Sequence, residues 1–144
     1  MQDKIGFIGL GRMGKPMASN LKKKGFELVV HDINEKAVEE LVQLGAVKGK
    51  SIAAIAAECS VVITMLPSSI EVEGVSYGPD GILANAQKGT ILLDMSTIDP
   101  LATERLSVAA KARGLSVVDA PVGRLAQHAD RGESLFMVGA TDAD

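Results

Sequence analysis

The stretch Lys4–Gly14, KIGFIGLGRMG, is an apolar run that ends in three spaced glycines. The run predicts a buried strand, and the apolar periodicity of Arg12–Lys24 predicts a helix directly after it. Gly9, Gly11 and Gly14 form the pattern G-x-G-x-x-G between these two elements. There the first glycine permits a tight turn, the second lets a pyrophosphate approach the backbone, and the third lets the helix pack on the strand. The alternative is a tight turn that binds no ligand.

An acidic residue follows the second predicted strand, Phe26–His31. Asp32 stands about 20 residues after Gly14, where a carboxylate accepts hydrogen bonds from the adenosine ribose of a dinucleotide. The same charge repels a 2′-phosphate, so the sequence predicts NAD(H) in preference to NADP(H). The alternative is that Asp32 only caps the next helix.

Apolar runs and amphipathic segments alternate along the whole chain. The predicted strands are Lys4–Gly9, Phe26–His31, Ala46–Val47, Ser60–Leu66, Thr90–Met95, Leu115–Asp119 and Ser134–Gly139. The predicted helices are Arg12–Lys24, Asn34–Leu44, Ser51–Glu58, Ile70–Val75 and Pro100–Arg113. The alternation predicts one α/β domain over residues 1–144, a Rossmann-type, doubly wound and mostly parallel sheet. Because Thr141–Asp144 has the pattern of a helix start, we expect a fragment that ends where a further helix begins.

Composition excludes several classes of protein. With 47% hydrophobic and 3% aromatic residues, the chain predicts an aliphatic core and argues against disorder. A net charge of −3 argues against a nucleic-acid partner, and the basic run Lys22–Lys24 is typical of a solvated helix end. Cys59 is the only cysteine, so we expect a small buried side chain with no disulfide and no metal site. No run is apolar enough for a membrane span, and cytoplasmic localisation is expected.

Two further loops follow predicted strands and belong to the same edge of the sheet. Met65–Ser68 follows the fourth strand and Met95–Thr97 follows the fifth. Ligands of open α/β sheets bind at the carboxyl ends of the strands, so both loops are candidates for lining a ribose–nicotinamide groove. The alternative is that Ser68 and Ser96 or Thr97 are ordinary helix caps.

Four ordered motifs resemble the β-hydroxyacid dehydrogenase family over essentially the whole chain. They are FIGLGRMGKPMASNL from Phe7 to Leu21, ITMLPSS from Ile63, LLDMSTIDP from Leu92 and VVDAPVGR from Val117. The resemblance implies pyrophosphate contacts by Arg12 and Met13, with Leu66 along the cofactor and Thr97 near the nicotinamide. The complete predicted cofactor site is Gly9, Gly11, Arg12, Met13, Gly14, Asp32, Met65, Leu66, Pro67 and Thr97.

The predicted substrate site is Ser96, Gly123 and Arg124. The family's loop reads D-A-P-V-S-G-G, whereas this chain has Gly123, Arg124 and Leu125 after the same D-A-P-V. This variant resembles the sulfolactaldehyde reductase branch, and a guanidinium suits a sulfonate or a carboxylate. The alternative is a surface arginine paired with Asp130 or Glu133. His128, in the same region, is expected in an exposed loop, and the alternative is that it approaches the substrate.

The resemblance implies hydride transfer between a nicotinamide and a small anionic 3-hydroxy acid or its semialdehyde, by a homo-oligomeric parent enzyme. It also implies a C-terminal helical domain and a general acid–base lysine beyond Asp144. Lys88 and Lys111 fit solvated surface positions, so no catalytic residue is predicted within the chain and turnover by the chain alone is expected to be negligible. The competing hypotheses are a non-catalytic NAD(H) sensor and a methyltransferase that binds S-adenosylmethionine.

Overall fold

The computed structural model describes residues 3–123, 126–133 and 135–139 of the chain. Strands and helices alternate through these ranges. The strands are β1 (Lys4–Ile8), β2 (Glu27–His31), β3 (Val47–Lys48), β4 (Val61–Thr64), β5 (Ile91–Asp94) and β6 (Ser116–Asp119). The helices are α1 (Gly14–Lys23), α2 (Glu35–Gln43), α3 (Ile52–Glu58), α4 (Ser69–Ser76), α5 (Ile82–Asn85), α6 (Pro100–Lys111) and α7 (Ala126–Asp130).

The six strands form one sheet in the order β3-β2-β1-β4-β5-β6, and all five pairings of neighbouring strands are parallel. This is the strand order of the dinucleotide-binding Rossmann fold, which confirms the predicted fold class. The order reverses between β1 and β4. The loops that follow these two strands therefore border the crevice where such sheets bind ligands.

Helices cover both faces of the sheet, and each face has its own core. Successive residues of a strand point to opposite faces, so Phe7 lies in the cluster beneath α1 and α2 while Ile8 lies in the cluster beneath α3 and α6. Phe7 is the only aromatic residue among the buried core residues described, which confirms the aliphatic core expected from composition. A core on both faces explains why consecutive residues in the middle of β1 and β2 are apolar and buried.

The structure confirms the predicted local features at several sites. Ser51 caps α3, because its hydroxyl accepts a hydrogen bond from the Ala54 N–H at 3.0 Å. Lys22 and Lys23 lie in the last turn of α1. Cys59 is buried, and this burial raises the pKa of its thiol to about 11.

In the described part of the chain, no helix is both long enough and apolar enough to cross a membrane.

The predicted seventh strand is wrong as a strand of the parallel sheet. Within residues 135–139 the backbone makes only isolated antiparallel bridges, Phe136 with Val122 and Gly139 with Asp119. Additional hydrogen bonds join residues 123 to 135 and 137 to 121. The segment folds back along the chain that follows β6. Its apolar residues are exposed, so the apolar run that predicted a buried strand has no sheet neighbour to bury it.

Two short helices were not predicted from the sequence. The first is α5, which lies between the predicted helix Ile70–Val75 and the predicted strand Thr90–Met95, and the second is α7, which holds His128. His128 is half-buried rather than in an exposed loop, and its Nδ1 is buried with no partner among the described residues. The neighbouring Ala129 carbonyl accepts a hydrogen bond from the Asn20 amide at 2.5 Å, which fastens α7 to α1.

Candidate functional site

The turn between β1 and α1 leaves no room for side chains at its first and third glycines. Gly9 has a φ of +102°, and a Cβ added there would overlap the Met65 carbonyl. A Cβ at Gly14 would overlap the Gly9 carbonyl. These two glycines are therefore required by the protein's own packing, whatever binds at the turn.

The second glycine of the pattern differs from the other two. A Cβ at Gly11 would meet no protein atom within 4 Å, so the space in front of it is open. Packing does not explain a glycine there, whereas close approach of a ligand to the backbone does. The local geometry fits the cradle that a pyrophosphate requires.

Backbone hydrogen-bond donors without a partner lie next to this open space. Met13 is the N-cap of α1 but makes no side-chain cap, and the first turn of the helix contains no acidic residue. Among the described residues, the N–H groups of Arg12 and Met13 have no hydrogen-bond partner. Unpaired N–H groups and the positive end of the helix dipole together favour an anion.

Asp32 connects the glycine turn to the loop after β2. Its Oδ2 accepts a hydrogen bond from the Leu10 N–H at 2.6 Å, and its Oδ1 accepts one from the Asn34 N–H at 2.7 Å. Sequence reasoning considered ribose binding and helix capping but missed the bond to Leu10. An ionised carboxylate has about four acceptor positions, so two remain for a ligand.

A groove of about 690 Å³ runs along this edge of the sheet. Within the described part of the chain, Arg12 is the only lysine or arginine that lines it, and Asp32 and Glu71 are its acidic residues. The groove is lined by Ile8, Gly9, Gly11, Arg12, Met13, Gly14, His31, Asp32, Ile33, Asn34, Ile52, Met65, Leu66, Pro67, Glu71, Gly74 and Val75. Nine of the ten predicted cofactor residues are in this set, and the tenth, Thr97, is exposed outside it.

Sequence reasoning missed part of this lining. Ile33 is 98% exposed although it is apolar, and Ile52 and Val75 add further apolar surface. Glu71 and Gly74 lie on α4, which begins at the carboxyl end of β4. The position of α4 was a usable signal, because a helix that starts at this edge brings its first turns to the crevice.

A buried hydrogen-bond network joins the two loops that follow β4 and β5. Asp94 Oδ1 accepts hydrogen bonds from the Thr64 hydroxyl at 2.9 Å and from the Ser96 N–H at 3.0 Å. The Ser96 hydroxyl accepts a bond from the Leu66 N–H at 2.8 Å. Thr64, Asp94 and Ser96 are each 0% exposed.

This burial corrects the prediction that Ser96 binds substrate. Its hydroxyl is fully buried, accepts the Leu66 N–H at 2.8 Å and donates to the Thr64 carbonyl at 3.5 Å, so it is engaged inside the domain. Nor is Ser96 a helix cap, since Asp99 caps α6 and Ser68 caps α4.

Two carboxyl groups at this edge of the sheet have raised pKa values. Burial raises the pKa of Asp94 above its ordinary value of 3.8, and the hydrogen bonds from Ser96 and Thr64 only partly oppose the shift. Burial also raises the pKa of Asp119, with a smaller contribution from the charge of Asp94. The two residues are paired in register across β5 and β6.

The remaining predicted substrate residues lie after β6. Gly123 is exposed, but its N–H donates to the Leu135 carbonyl at 2.8 Å and is not available to an anion in this conformation. The prediction for Arg124 falls outside the described residues. Lys88 and Lys111 are both exposed, as expected.

The strand order, the glycine turn and the groove define a dinucleotide-binding domain. Comparison with known sequences agrees, because residues 4–144 match the family described as the NAD binding domain of 6-phosphogluconate dehydrogenase. The chain belongs to this family and is an NAD-binding domain.

Several relatives are similar over nearly the whole chain. The 3-sulfolactaldehyde reductase of Escherichia coli K12 is 42% identical over 95% of this chain and 46% of its own length. An NAD-dependent L-serine dehydrogenase of Pseudomonas aeruginosa is 45% identical over 94% of this chain and 45% of its own length. These relatives confirm the resemblance to the β-hydroxyacid dehydrogenases. The chain spans about half the length of the curated relatives it matches.

A solved structure supports the same relationship. The 3-hydroxyisobutyrate dehydrogenase of Mycobacterium tuberculosis, in a structure with L-serine, superposes with a TM-score of 0.91 at 32% identity. The match covers 99% of this chain and 48% of that chain.

Proposed function

We propose that this chain binds NAD(H) for a dehydrogenase that acts on small 3-hydroxy acids or their semialdehydes. The observation that carries the proposal is the open space at Gly11, bordered by the unpaired N–H groups of Arg12 and Met13. Only a ligand that approaches the backbone closely makes use of this arrangement.

Each part of the groove has a role in the proposal. The pyrophosphate lies over Gly11 and is bound by the N–H groups of Arg12 and Met13, with the Arg12 guanidinium adding positive charge. The adenosine ribose hydroxyls donate to the free acceptor positions of Asp32. Met65, Leu66 and Pro67 lie along the nicotinamide half, with Thr97 beyond them.

NADH is preferred to NADPH in this proposal. A 2′-phosphate would stand next to the Asp32 carboxylate, and among the described residues Arg12 is the only arginine or lysine lining the groove. The name of the Pseudomonas relative, an NAD-dependent enzyme, agrees with this preference.

The bound nicotinamide supplies the hydride acceptor or donor, and the chain orients it. None of the described residues stands out as a general acid–base group for the substrate oxygen. We propose that a lysine in the part of the longer relatives that this chain does not match has that role, and that this chain alone has negligible turnover.

The substrate is proposed to be a small anion, a carboxylate or a sulfonate, bound by Arg124. The support is the D-A-P-V-G-R sequence and the 42% identity to a 3-sulfolactaldehyde reductase. Replacing Arg124→Ala in the enzyme that contains this domain is expected to raise KM about tenfold or more, as loss of a charged hydrogen bond does. An unchanged kcat/KM would contradict this assignment. Cytoplasmic localisation and a homo-oligomeric parent enzyme stay predictions.

A calorimetric titration of the 144-residue chain with NADH and with NADPH tests the cofactor proposal. NADH is expected to bind, and NADPH at least about tenfold more weakly because of the Asp32 charge. Tighter binding of NADPH would contradict the role of Asp32. Binding of S-adenosylmethionine in place of either would favour the methyltransferase hypothesis.

A further inference from the structure

We propose that Ser96 is a positioning residue, whose buried hydroxyl holds the loop of Met65 and Leu66 in the conformation that receives the nicotinamide half of the cofactor. The inference rests on the proposed function, because it concerns the same groove. It assigns to Ser96 a role in cofactor binding that requires no contact with substrate or cofactor.

The loop needs such a support because the sheet does not provide one. The Met65 N–H still donates to Ile8 in β1, at 2.9 Å, which continues the ladder of the sheet. The Leu66 N–H is the first beyond this ladder, and the Ser96 hydroxyl accepts its hydrogen bond at 2.8 Å. A buried N–H without an acceptor is costly, so this bond determines where the Leu66 backbone lies.

Ser96 is itself held in place by a hydrogen bond to Asp94. Asp94 accepts the Ser96 N–H in a local turn, and the same carboxylate oxygen accepts the Thr64 hydroxyl from the end of β4. The hydrogen bonds of Asp94 therefore connect Ser96 to β5 and to the adjacent strand β4. A network closed in this way restricts Ser96 to one position.

The Leu66 loop is also a direct neighbour of the glycine turn. A Cβ placed on Gly9 would meet the Met65 carbonyl and, at 3.0 Å, the Leu66 Cδ2 atom. Met65 and Leu66 line the groove from the loop after β4, which lies on the other side of β1 from Asp32 and the loop after β2. Ser96 therefore acts on one half of the groove and leaves the contacts of Asp32 unchanged.

The test compares two ligands on the variant Ser96→Ala of the 144-residue chain. ADP-ribose contains the adenosine and pyrophosphate groups but lacks the nicotinamide. We expect the variant to bind NADH about tenfold more weakly, with ADP-ribose affinity changed less than about twofold. A fold that is only less stable would not change the ratio of the two affinities.

The matched control is Thr90→Val. Thr90 is also a buried hydroxyl, 3% exposed, and it precedes β5 at the opposite end of the same strand. This variant is expected to lose stability but keep the ratio of NADH to ADP-ribose affinity. If Ser96→Ala leaves the ratio unchanged while the wild type binds both ligands, the inference is wrong and the proposed function stands. If the wild type binds neither ligand, both are wrong.

Hydrogen exchange on the wild type tests the hydrogen bond between the Leu66 N–H and Ser96 even if the alanine variant does not fold. The Leu66 amide is expected to be protected although it lies outside the strand. Exchange at the rate of an exposed loop amide would overturn the inference.

Discussion

The two halves of the groove are built by different means. At the glycine turn the backbone itself forms the site, and two of the three glycines are there because a side chain would overlap a carbonyl. Along the Leu66 loop the backbone is held by buried side chains from a neighbouring strand, Asp94 and Ser96. The turn is shaped by glycines within one short motif and by the neighbouring Met65 carbonyl, whereas the Leu66 loop depends on a side chain 30 residues further along the chain. Each half should therefore fail in a different way when it is altered.

The largest expected effect separates packing from binding at the glycine turn. Gly14→Ala should destabilise the fold by about 3 kcal/mol, because its Cβ would overlap the Gly9 carbonyl. Gly11→Ala should leave the free energy of unfolding nearly unchanged, because its Cβ has open space. The same methyl group should weaken NADH binding about a hundredfold by displacing the pyrophosphate from two N–H donors.

Chemical denaturation and NADH titration of both variants measure these effects. Equal NADH binding by Gly11→Ala and the wild type would contradict the proposed position of the pyrophosphate.

A smaller effect is expected from Asp32→Asn at the adenosine end. Loss of the charge should weaken NADH binding about tenfold and affect NADPH less, so the preference between them shrinks. Stability should also fall, since an amide nitrogen would face either the Leu10 or the Asn34 N–H.

The control for Asp32→Asn is Asp99→Asn. Asp99 is an exposed carboxylate that accepts a backbone N–H at 3.0 Å, but it caps α6 outside the groove. The Asp99→Asn variant should be less stable than the wild type but should keep the same preference for NADH over NADPH. The same change of preference in both variants would show that general charge, not Asp32, sets the selectivity.

The smallest expected effect is a pH dependence of stability that comes from Asp94, the buried carboxyl group next to the Leu66 loop. Because burial raises the folded-state pKa of Asp94, the folded protein holds this proton more tightly than the unfolded chain does. The contribution of Asp94 to stability is therefore largest at low pH and is lost as pH rises from 3.8 through the raised pKa. Asp119 contributes with the same sign.

Urea unfolding at a series of pH values, on the wild type and Asp94→Asn, isolates this contribution. The difference in unfolding free energy, wild type minus variant, should decrease as pH rises through that window. An increase would contradict the assigned direction of the pKa.

The same contrast explains what the sequence could predict. The glycine pattern, the alternation of strands and helices and the position of Asp32 are signals of local spacing, and they correctly predicted six strands and most of the groove. The burial of Ser96 depends on which strands become neighbours, so the sequence position that made it a candidate substrate residue could not show that its hydroxyl is buried. The apolar run before Gly139 was read as a sheet strand because its pattern fits a buried strand and carries no information about its neighbour.

A crystal structure of the 144-residue chain with NADH tests the central claim most directly. We expect a pyrophosphate oxygen within hydrogen-bond distance of the Arg12 and Met13 N–H groups, the adenosine ribose on Asp32 and the nicotinamide beside Leu66. A cofactor bound away from Gly11, or one whose ribose does not touch Asp32, would contradict the account.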